Sequence, residues 1–316
     1  MHPDLVKSAL KIPWFGPLEL PAYFTFVTVG FTAAIILLWR WGRRRGIDGD
    51  GILDLGILMV VTGMLGARIM SVIADGHFWD YVHLCTDPMK VNWPLSKASC
   101  LSDRYGGIWD PVLRVCHPDY VDCLSWLKFW RGGLAFYGGL LLSTAAGIVF
   151  LRVKRLPVWD IVDGSGWAIP LGLGWGRIGC FFNGCCYGSI TRGPLGTVFP
   201  GGSQASLGQF REGLLPSPEA VSLPVYPTQL FEAFFSFLIA LACYHYLLAR
   251  RKFHGEVFLV FTILYAALRF LEEIIRRDDR GVLAGLSSSQ LIALASIAVA
   301  ATAYALLLRR FQRRTS

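Results

Sequence analysis

Seven predominantly apolar runs constrain this chain more than any other feature. They are Tyr23 to Leu38, Ile52 to Ile73, Leu134 to Leu151, Val158 to Phe182, Leu230 to Leu248, Val257 to Ile275 and Gln290 to Leu308. A helix of about 20 apolar residues is what crosses the roughly 30 Å hydrocarbon core of a bilayer. With 54% hydrophobic and only 16% charged residues, the chain has more apolar surface than a soluble fold can hide. The expected fold class is an all-α integral membrane protein of about seven transmembrane helices, forming a single membrane domain over residues 1–316.

The net charge of +8 is distributed in a way that reports topology. Basic clusters follow the first run (Arg40, Arg43, Arg44, Arg45), the third (Arg152, Lys154, Arg155), the fifth (Arg250, Arg251, Lys252) and the seventh (Arg309, Arg310, Arg313, Arg314). These are alternate loops, so all fall on one side, and the positive-inside rule makes that side cytoplasmic. The N-terminus is then outside and the C-terminus inside. The same clustering argues against nucleic acid as a partner, because no basic amphipathic face emerges. Met1 to Pro21 lacks the basic start and apolar core of a cleavable signal peptide, so the first run is expected to serve as the targeting signal. Tryptophans near run ends, such as Trp39, Trp41, Trp126, Trp130 and Trp159, fit interfacial belts.

Two outside segments are long, residues 74–133 and 183–228, and both are rich in Gly, Pro, Ser and Asp as connecting loops are. The first carries Cys85, Cys100, Cys116 and Cys123, enough for two disulfides in any of three connectivities. A metal site helped by His77, His83 and His117 is the alternative, but the tight pair spacing of structural zinc is missing.

The fourth run departs from lipid-facing filler. Asp163, Gly164, Gly166, Pro170, Gly172, Gly174, Gly176, Arg177 and Gly179 lead into Asn183-Gly184-Cys185-Cys186-Tyr187-Gly188. Glycines four apart permit close helix packing, yet packing does not explain Arg177, since an intramembrane cation faces a protein interior, a cavity or a headgroup. Toward the outer end of the sixth run Arg269, Glu273 and Arg276 share one helical face, with Arg277, Asp278, Asp279 and Arg280 following. An Arg269–Glu273 pair accounts for part of this. A concentration of arginine on the outside opposes the topological trend and points to an anionic ligand, which guanidinium groups bind bidentately at any physiological pH.

The run GWGRIGCFFNGCCYG, Gly174 to Gly188, resembles the signature of the prolipoprotein diacylglyceryl transferases. GPLELPAY at Gly16 to Tyr23, GGLAFYGG at Gly132 to Gly139, YPTQLFE at Tyr226 to Glu232 and LRFLEEIIRRDDRG at Leu268 to Gly281 resemble further motifs of that family, in its order. The resemblance covers most of the chain except the cysteine-bearing insertion between about Cys85 and Cys123. It implies a multi-pass protein of the bacterial inner membrane that transfers the diacylglyceryl group of phosphatidylglycerol to the lipobox cysteine thiol of a preprolipoprotein, releasing glycerol phosphate. No cofactor and no metal are implied, and a monomer is the expected state. Carried over by position, Arg269, Glu273, Tyr23 and Tyr137 become the catalytic candidates, while Arg177, Asn183, Gly188, Asp163 and Arg276 become candidates for binding the phosphatidylglycerol headgroup.

Three positions depart from the family's usual pattern: Tyr137 stands in place of histidine, Cys180 in place of asparagine and Cys185 in place of glutamate. Tyrosine, with a reference pKa near 10, is a poor base at neutral pH, so Glu273, His77 or His83 are alternative proton acceptors, and Arg269 could instead lower the thiol's pKa directly. A second reading is a divergent or inactive phosphatidylglycerol-binding relative with another acceptor or an assembly role. A transporter would show internally repeated, interrupted spans, and none is evident. Cys180, Cys185 and Cys186 read as packed thiols, with a disulfide, a redox or metal site, or a thiol carrier as sharper alternatives. A Cys180–Cys185 bond requires a reversal of the chain.

Overall fold

A computed structural model describes residues 4–12, 16–74, 78–93, 97–101, 107–127, 135–276, 282–283 and 285–315. In chain order the elements are β1 (Asp4–Ile12), β2 (Gly16–Pro21), α1 (Ala22–Arg44), α2 (Gly49–Ala74), α3 (Phe78–Thr86), α4 (Lys97–Cys100), β3 (Gly107–Asp110), β4 (Val115–Pro118) and α5 (Phe136–Val153). They continue with α6 (Val158–Asn183), α7 (Gln204–Arg211), α8 (Thr228–Ala242), a π-helical turn (Cys243–Leu247), α9 (Leu248–Arg250), α10 (Glu256–Ile275), β5 (Val282–Leu283), β6 (Leu286–Ser287) and α11 (Ser288–Thr315). The strands form three two-stranded antiparallel ribbons among the described residues, so the fold is all-α in substance.

Each apolar run becomes a helix. Five segments are long and apolar enough to cross a membrane: Ala22–Arg44, Gly49–Ile73, Phe136–Val153, Thr228–Arg250 and Ser288–Arg313. The other two, α6 and α10, fall short of that measure for a reason that bears on function. Glycines and three charges dilute α6 (Asp160, Asp163, Arg177), and α10 carries Glu256, Arg269, Glu272 and Glu273. His77, Trp130, the Gly132–Gly133 pair and the Arg277 to Arg280 run lie outside the described residues.

The chain divides into two compact units, Met1–Ile52 with Pro157–Ser316, and Leu53–Leu156. In the first unit α6 is the central helix. Its glycines let neighbours approach so closely that a Cβ would collide: at Gly179 with the Tyr23 backbone (3.1 Å), at Gly174 with Phe237 (2.6 Å) and at Gly166 with the Phe258 backbone (2.9 Å). These contacts run α1 and α8 antiparallel to α6, and α10 parallel to it. One end of the unit is filled by Trp41, Trp167, Cys243, Leu248, Val257 and Phe261. α11 packs on α10, with the Tyr304 hydroxyl donating to Glu256 Oε1 at 2.9 Å.

The segment after α6 is folded, although its composition reads as a connecting loop. Phe199, Ala205 and Val225 make a small core, and Ser203 caps α7 by accepting from the Ser206 amide at 3.2 Å. The one hydroxyl proton of buried Ser206 is shared between the carbonyls of Pro218 (2.8 Å) and Ala220 (2.6 Å), and Gln209 accepts from the Leu223 amide at 2.7 Å. Short polar side chains thus satisfy backbone that has no helix or sheet partner.

In the second unit α2 and α5 pack antiparallel, with Gly66 against Gly138 and Gly63 against Gly139. Buried Arg68 donates from Nε to the Trp126 carbonyl (2.8 Å) and from Nη2 to the Ser125 carbonyl (2.9 Å). Disulfides join Cys85 to Cys123 and Cys100 to Cys116, a nested pairing out of the three open to the sequence. With all four thiols bonded to one another, they are not available as metal ligands. His117 is buried with Nδ1 2.9 Å from the Val91 carbonyl, a structural role. Asp110 accepts from the Leu113 and Val112 amides in the β3–β4 turn, and those bonds hold its carboxyl below the ordinary range.

Candidate functional site

Glu232 organises the site. α8 buries Thr228, Gln229, Glu232, Ala233 and Ser236, a helical stripe that faces the protein, and the Glu232 side chain is fully buried. A carboxylate so placed is tenable only with close cationic or hydrogen-bonding partners. Among the described residues it has Arg177 Nε at 2.8 Å and Arg269 Nη1 at 3.1 Å, both on Oε2, the Tyr265 hydroxyl donating to Oε1 at 2.7 Å, and the neighbouring Glu272 carboxyl. Helices α6, α8 and α10 each contribute to this cluster.

On α10, Tyr265, Arg269, Glu272, Glu273 and the following Arg276 recur at helical spacing. Arg269 is saturated with carboxylates. Nη1 pairs with Glu272 as well as Glu232, and Nη2 lies 3.7 Å from Glu273 Oε2. Arg177 is held differently, through Nε alone, and among the described residues its two Nη groups have no ion-pair partner while 20% of the side chain stays exposed. Glu272 Oε1 and Glu273 Oε2 are buried without a hydrogen bond. The cluster therefore combines a donor edge of Arg177 and carboxyl oxygens that are not fully used.

The C-terminus of α6 ends this region in a Schellman turn. Gly184 adopts the left-handed conformation (φ 68°), its amide donates to the Phe181 carbonyl at 3.1 Å and the Cys185 amide donates to the Cys180 carbonyl at 3.2 Å. Glycine at 184 is what allows the turn. The chain then reverses along α8: the Gln229 amide group donates to the Cys185 carbonyl (2.6 Å) and the Thr228 hydroxyl to the Cys186 carbonyl (2.9 Å). Gly188 donates its amide to the Tyr226 carbonyl at 2.9 Å, and a Cβ there would stand 2.8 Å from Thr228 Cγ2. The Ser189 amide reaches the Ile275 carbonyl at 2.9 Å, joining this segment to the end of α10.

The reversal that a Cys180–Cys185 bond requires is therefore present, yet Cys180, Cys185 and Cys186 are free thiols. The Cys185 thiol donates to the Cys180 carbonyl at 3.7 Å, and the Arg177 and Arg276 guanidiniums lie within electrostatic range of Cys186.

Of the nine residues expected at the site, seven gather at this end of the first unit: Tyr23, Arg177, Asn183, Gly188, Arg269, Glu273 and Arg276. Tyr23 opens α1 against Gly179, and its hydroxyl lies within electrostatic range of Arg177 and Cys180. Asn183 closes α6 beside the Cys185 thiol, and Arg276 is buried just past α10.

Asp163 is not brought to them. It lies 14 residues before Arg177 on α6, about 21 Å along the helix axis. Its carboxylate accepts from Arg251 (2.7 Å) and from the Gly255 and Val257 amides (2.9 and 3.0 Å), which open α10. Tyr137 belongs to the second unit, in the first turn of α5, and is half exposed with its ring edge-on to Phe136. A cavity of about 580 Å³ lined by Arg40, Arg44, Trp41, Trp167 and Tyr244 lies away from Arg177 and is not part of this site.

Glu232, Tyr265 and Glu272 are members of the cluster that reasoning from sequence did not single out. Glu232 carried a signal: an acid just inside an apolar run, with Arg177 inside another, is a pair in search of a partner. Tyr265 gave no signal beyond its spacing of four from Arg269.

A family model described as prolipoprotein diacylglyceryl transferase matches residues 10–306. The phosphatidylglycerol–prolipoprotein diacylglyceryl transferase of Symbiobacterium thermophilum is 30% identical over 302 residues, covering 95% of this chain and 91% of the relative. The like-named protein of Clostridium tetani is 27% identical over 286 residues, covering 90% and 92%. That of Geobacter sulfurreducens is 28% identical over 304 residues, covering 93% and 94%. The match spans both units and every motif that carried the resemblance, and the chain belongs to the prolipoprotein diacylglyceryl transferase family.

Proposed function

We propose that this protein transfers the diacylglyceryl group of phosphatidylglycerol to the lipobox cysteine thiol of preprolipoproteins, at the outer face of the bacterial inner membrane. The observation that carries this reading is the half-engaged Arg177, tied to buried Glu232 through Nε with its Nη edge left over. That edge suits bidentate binding of a phosphodiester. The seven helices take the orientation set by the basic clusters, with the Asp163 end of α6 cytoplasmic and the Arg177 end at the outer headgroups.

In the reaction the thiol sulfur forms a bond to the glyceryl carbon that bears the phosphate. The carbon–oxygen bond breaks, its electron pair passes to the phosphate oxygen, and glycerol phosphate departs. Negative charge grows on that phosphate, where Arg177 stabilises it directly in a poorly hydrated site. Arg269, bound by three carboxylates, fixes the cluster and keeps Glu232 in place under Arg177. The thiol proton goes to Glu273, whose Oε2 sits beside Arg269 without a hydrogen bond. Asp163 has no part in headgroup binding in this reading, because its oxygens are occupied 14 residues away.

The test is to express the chain in cells depleted of their own transferase and to look for a diacylglyceryl mass shift on a reporter lipoprotein. A shift is expected, and it should vanish with Glu273→Gln while the protein still inserts. No shift from a correctly inserted wild-type chain, with phosphatidylglycerol binding retained, would leave the second reading: a relative that binds the lipid and has lost the transfer. Tyr137, Cys180 and Cys185, which differ from the residues usual in the family, are what favour that outcome.

A further inference from the structure

Cys180, Cys185 and Cys186 bring their sulfur atoms within 4.8 Å of one another. The chain uses its other cysteines in two different ways, and neither applies here. Cys85, Cys100, Cys116 and Cys123 are joined as disulfides, while Cys243 sits fully buried in an apolar cluster as a small hydrophobe. The trio is neither bonded nor fully buried: Cys180 is 8% exposed, and Cys185 and Cys186 are half-buried.

The backbone is spent on holding them together. Cys186 is one of three described non-glycine residues with positive φ, at 60°, a left-handed conformation that L-residues rarely adopt. That conformation follows the Gly184 reversal and is fixed by the Thr228 and Gln229 hydrogen bonds to the Cys186 and Cys185 carbonyls. The turn itself is set by Gly184, Thr228 and Gln229; what the three cysteines add is a set of sulfurs converging on one point, as a shared ligand requires.

We propose that Cys180, Cys185 and Cys186 form a three-thiolate site for one soft closed-shell cation of the zinc(II) class, built on the turn that ends α6. Around a metal–sulfur bond of about 2.3 Å, three sulfurs lie ~4 Å apart, so the trio needs only a small contraction. Thiolate is the donor that selects such ions over magnesium or calcium. Three thiolates and a divalent ion leave one negative charge, which the neighbouring Arg177 and Arg276 offset. Binding releases the thiol protons to solvent, so uptake strengthens as pH rises. A fourth coordination position is open to water from the exposed side.

The full-length chain in detergent, freed of metal by a chelator, is titrated with cadmium(II) alone. An ultraviolet thiolate-to-cadmium charge-transfer band should saturate at one equivalent and be competed away by zinc(II). Cys180→Ser, Cys185→Ser and Cys186→Ser should each weaken cadmium binding about tenfold or more, and Cys243→Ser should leave it unchanged. X-ray absorption of the zinc-loaded wild-type chain needs no variant to fold, and should find three sulfur neighbours at ~2.3 Å. The site is disproved by any of three results: no saturable band, a band that persists in all three serine variants, or alkylation and intact mass showing two of the three joined as a disulfide. Each readout is independent of lipid transfer.

Discussion

The two ends of α6 hold buried ion clusters built from similar parts and arranged to opposite effect. At one end Arg251 spans Asp160 (2.6 Å) and Asp163 (2.7 Å), and the two remaining donors of Asp163 are the first amides of α10. Every charge there has its partner. At the other end Glu232 binds Arg177 and Arg269, but Arg177 keeps an unused donor edge and Glu272 and Glu273 each keep an oxygen without a hydrogen bond. A closed network clamps helices together; an open one is ready to exchange a protein contact for a ligand.

Arg177→Ala is the sharpest way to break the contrast. Loss of a charge-stabilising donor in a poorly hydrated site should reduce transfer about 10²–10³-fold, read by the reporter's diacylglyceryl mass shift, and should abolish binding of phosphatidylglycerol vesicles. Glu232 would still have Arg269 and Tyr265, so the chain should fold. An equal loss of thermal stability would mean that Arg177 is a clamp like Arg251.

Asp163→Asn tests the other end. Removing a fully buried carboxylate whose cationic partner is only partly buried costs about 3 kcal/mol at most, because Arg251 keeps its charge with one carboxylate fewer and α10 loses a charged cap. The expected result is a clear drop in melting temperature in detergent, with transfer per folded molecule and lipid affinity unaltered. A selective loss of lipid binding in Asp163→Asn would return Asp163 to the headgroup site.

Tyr265→Phe has a smaller effect at the open end. It removes the donor to Glu232 Oε1 and leaves that oxygen buried, about 1.5–3 kcal/mol for a bond to a charged acceptor. Transfer should fall about tenfold through misplacement of Glu232, with cadmium uptake at the cysteine trio unchanged.

How legible this contrast is in the sequence depends on the kind of residue. The long apolar helices, five of them long and apolar enough to cross a membrane among the described residues, were readable because apolar runs of that length have few other uses, and the Schellman end of α6 sits at the one Asn-Gly of the glycine-rich run. Arg177 stood out as a charge where charges are costly, and Arg269, Glu273 and Arg276 as one helical face rich in arginine against the topological trend. Asp163 joined the headgroup candidates through the family resemblance alone, and its bonds to Arg251 and to the start of α10 show the limit: a motif position does not say whether a charge has fixed partners or replaceable ones. Glu232 makes the same point from the other side. Its partners come from helices 55 and 37 residues away in sequence, and no local spacing announces them.

Arg251→Lys and Arg177→Lys make the finest comparison, because both keep the charge and remove only the planar fork. At the closed end a lysine ammonium reaches one of the two carboxylates that Arg251 spans, so the variant should lose about 1 kcal/mol of stability and nothing in transfer. At the open end the lysine would satisfy Glu232 and have no second edge for phosphate. Stability should then hold while the Km for phosphatidylglycerol rises several-fold. If Arg177→Lys instead matches wild type in Km and loses stability, the fork serves the protein rather than the lipid, and the difference between the two ends of α6 disappears.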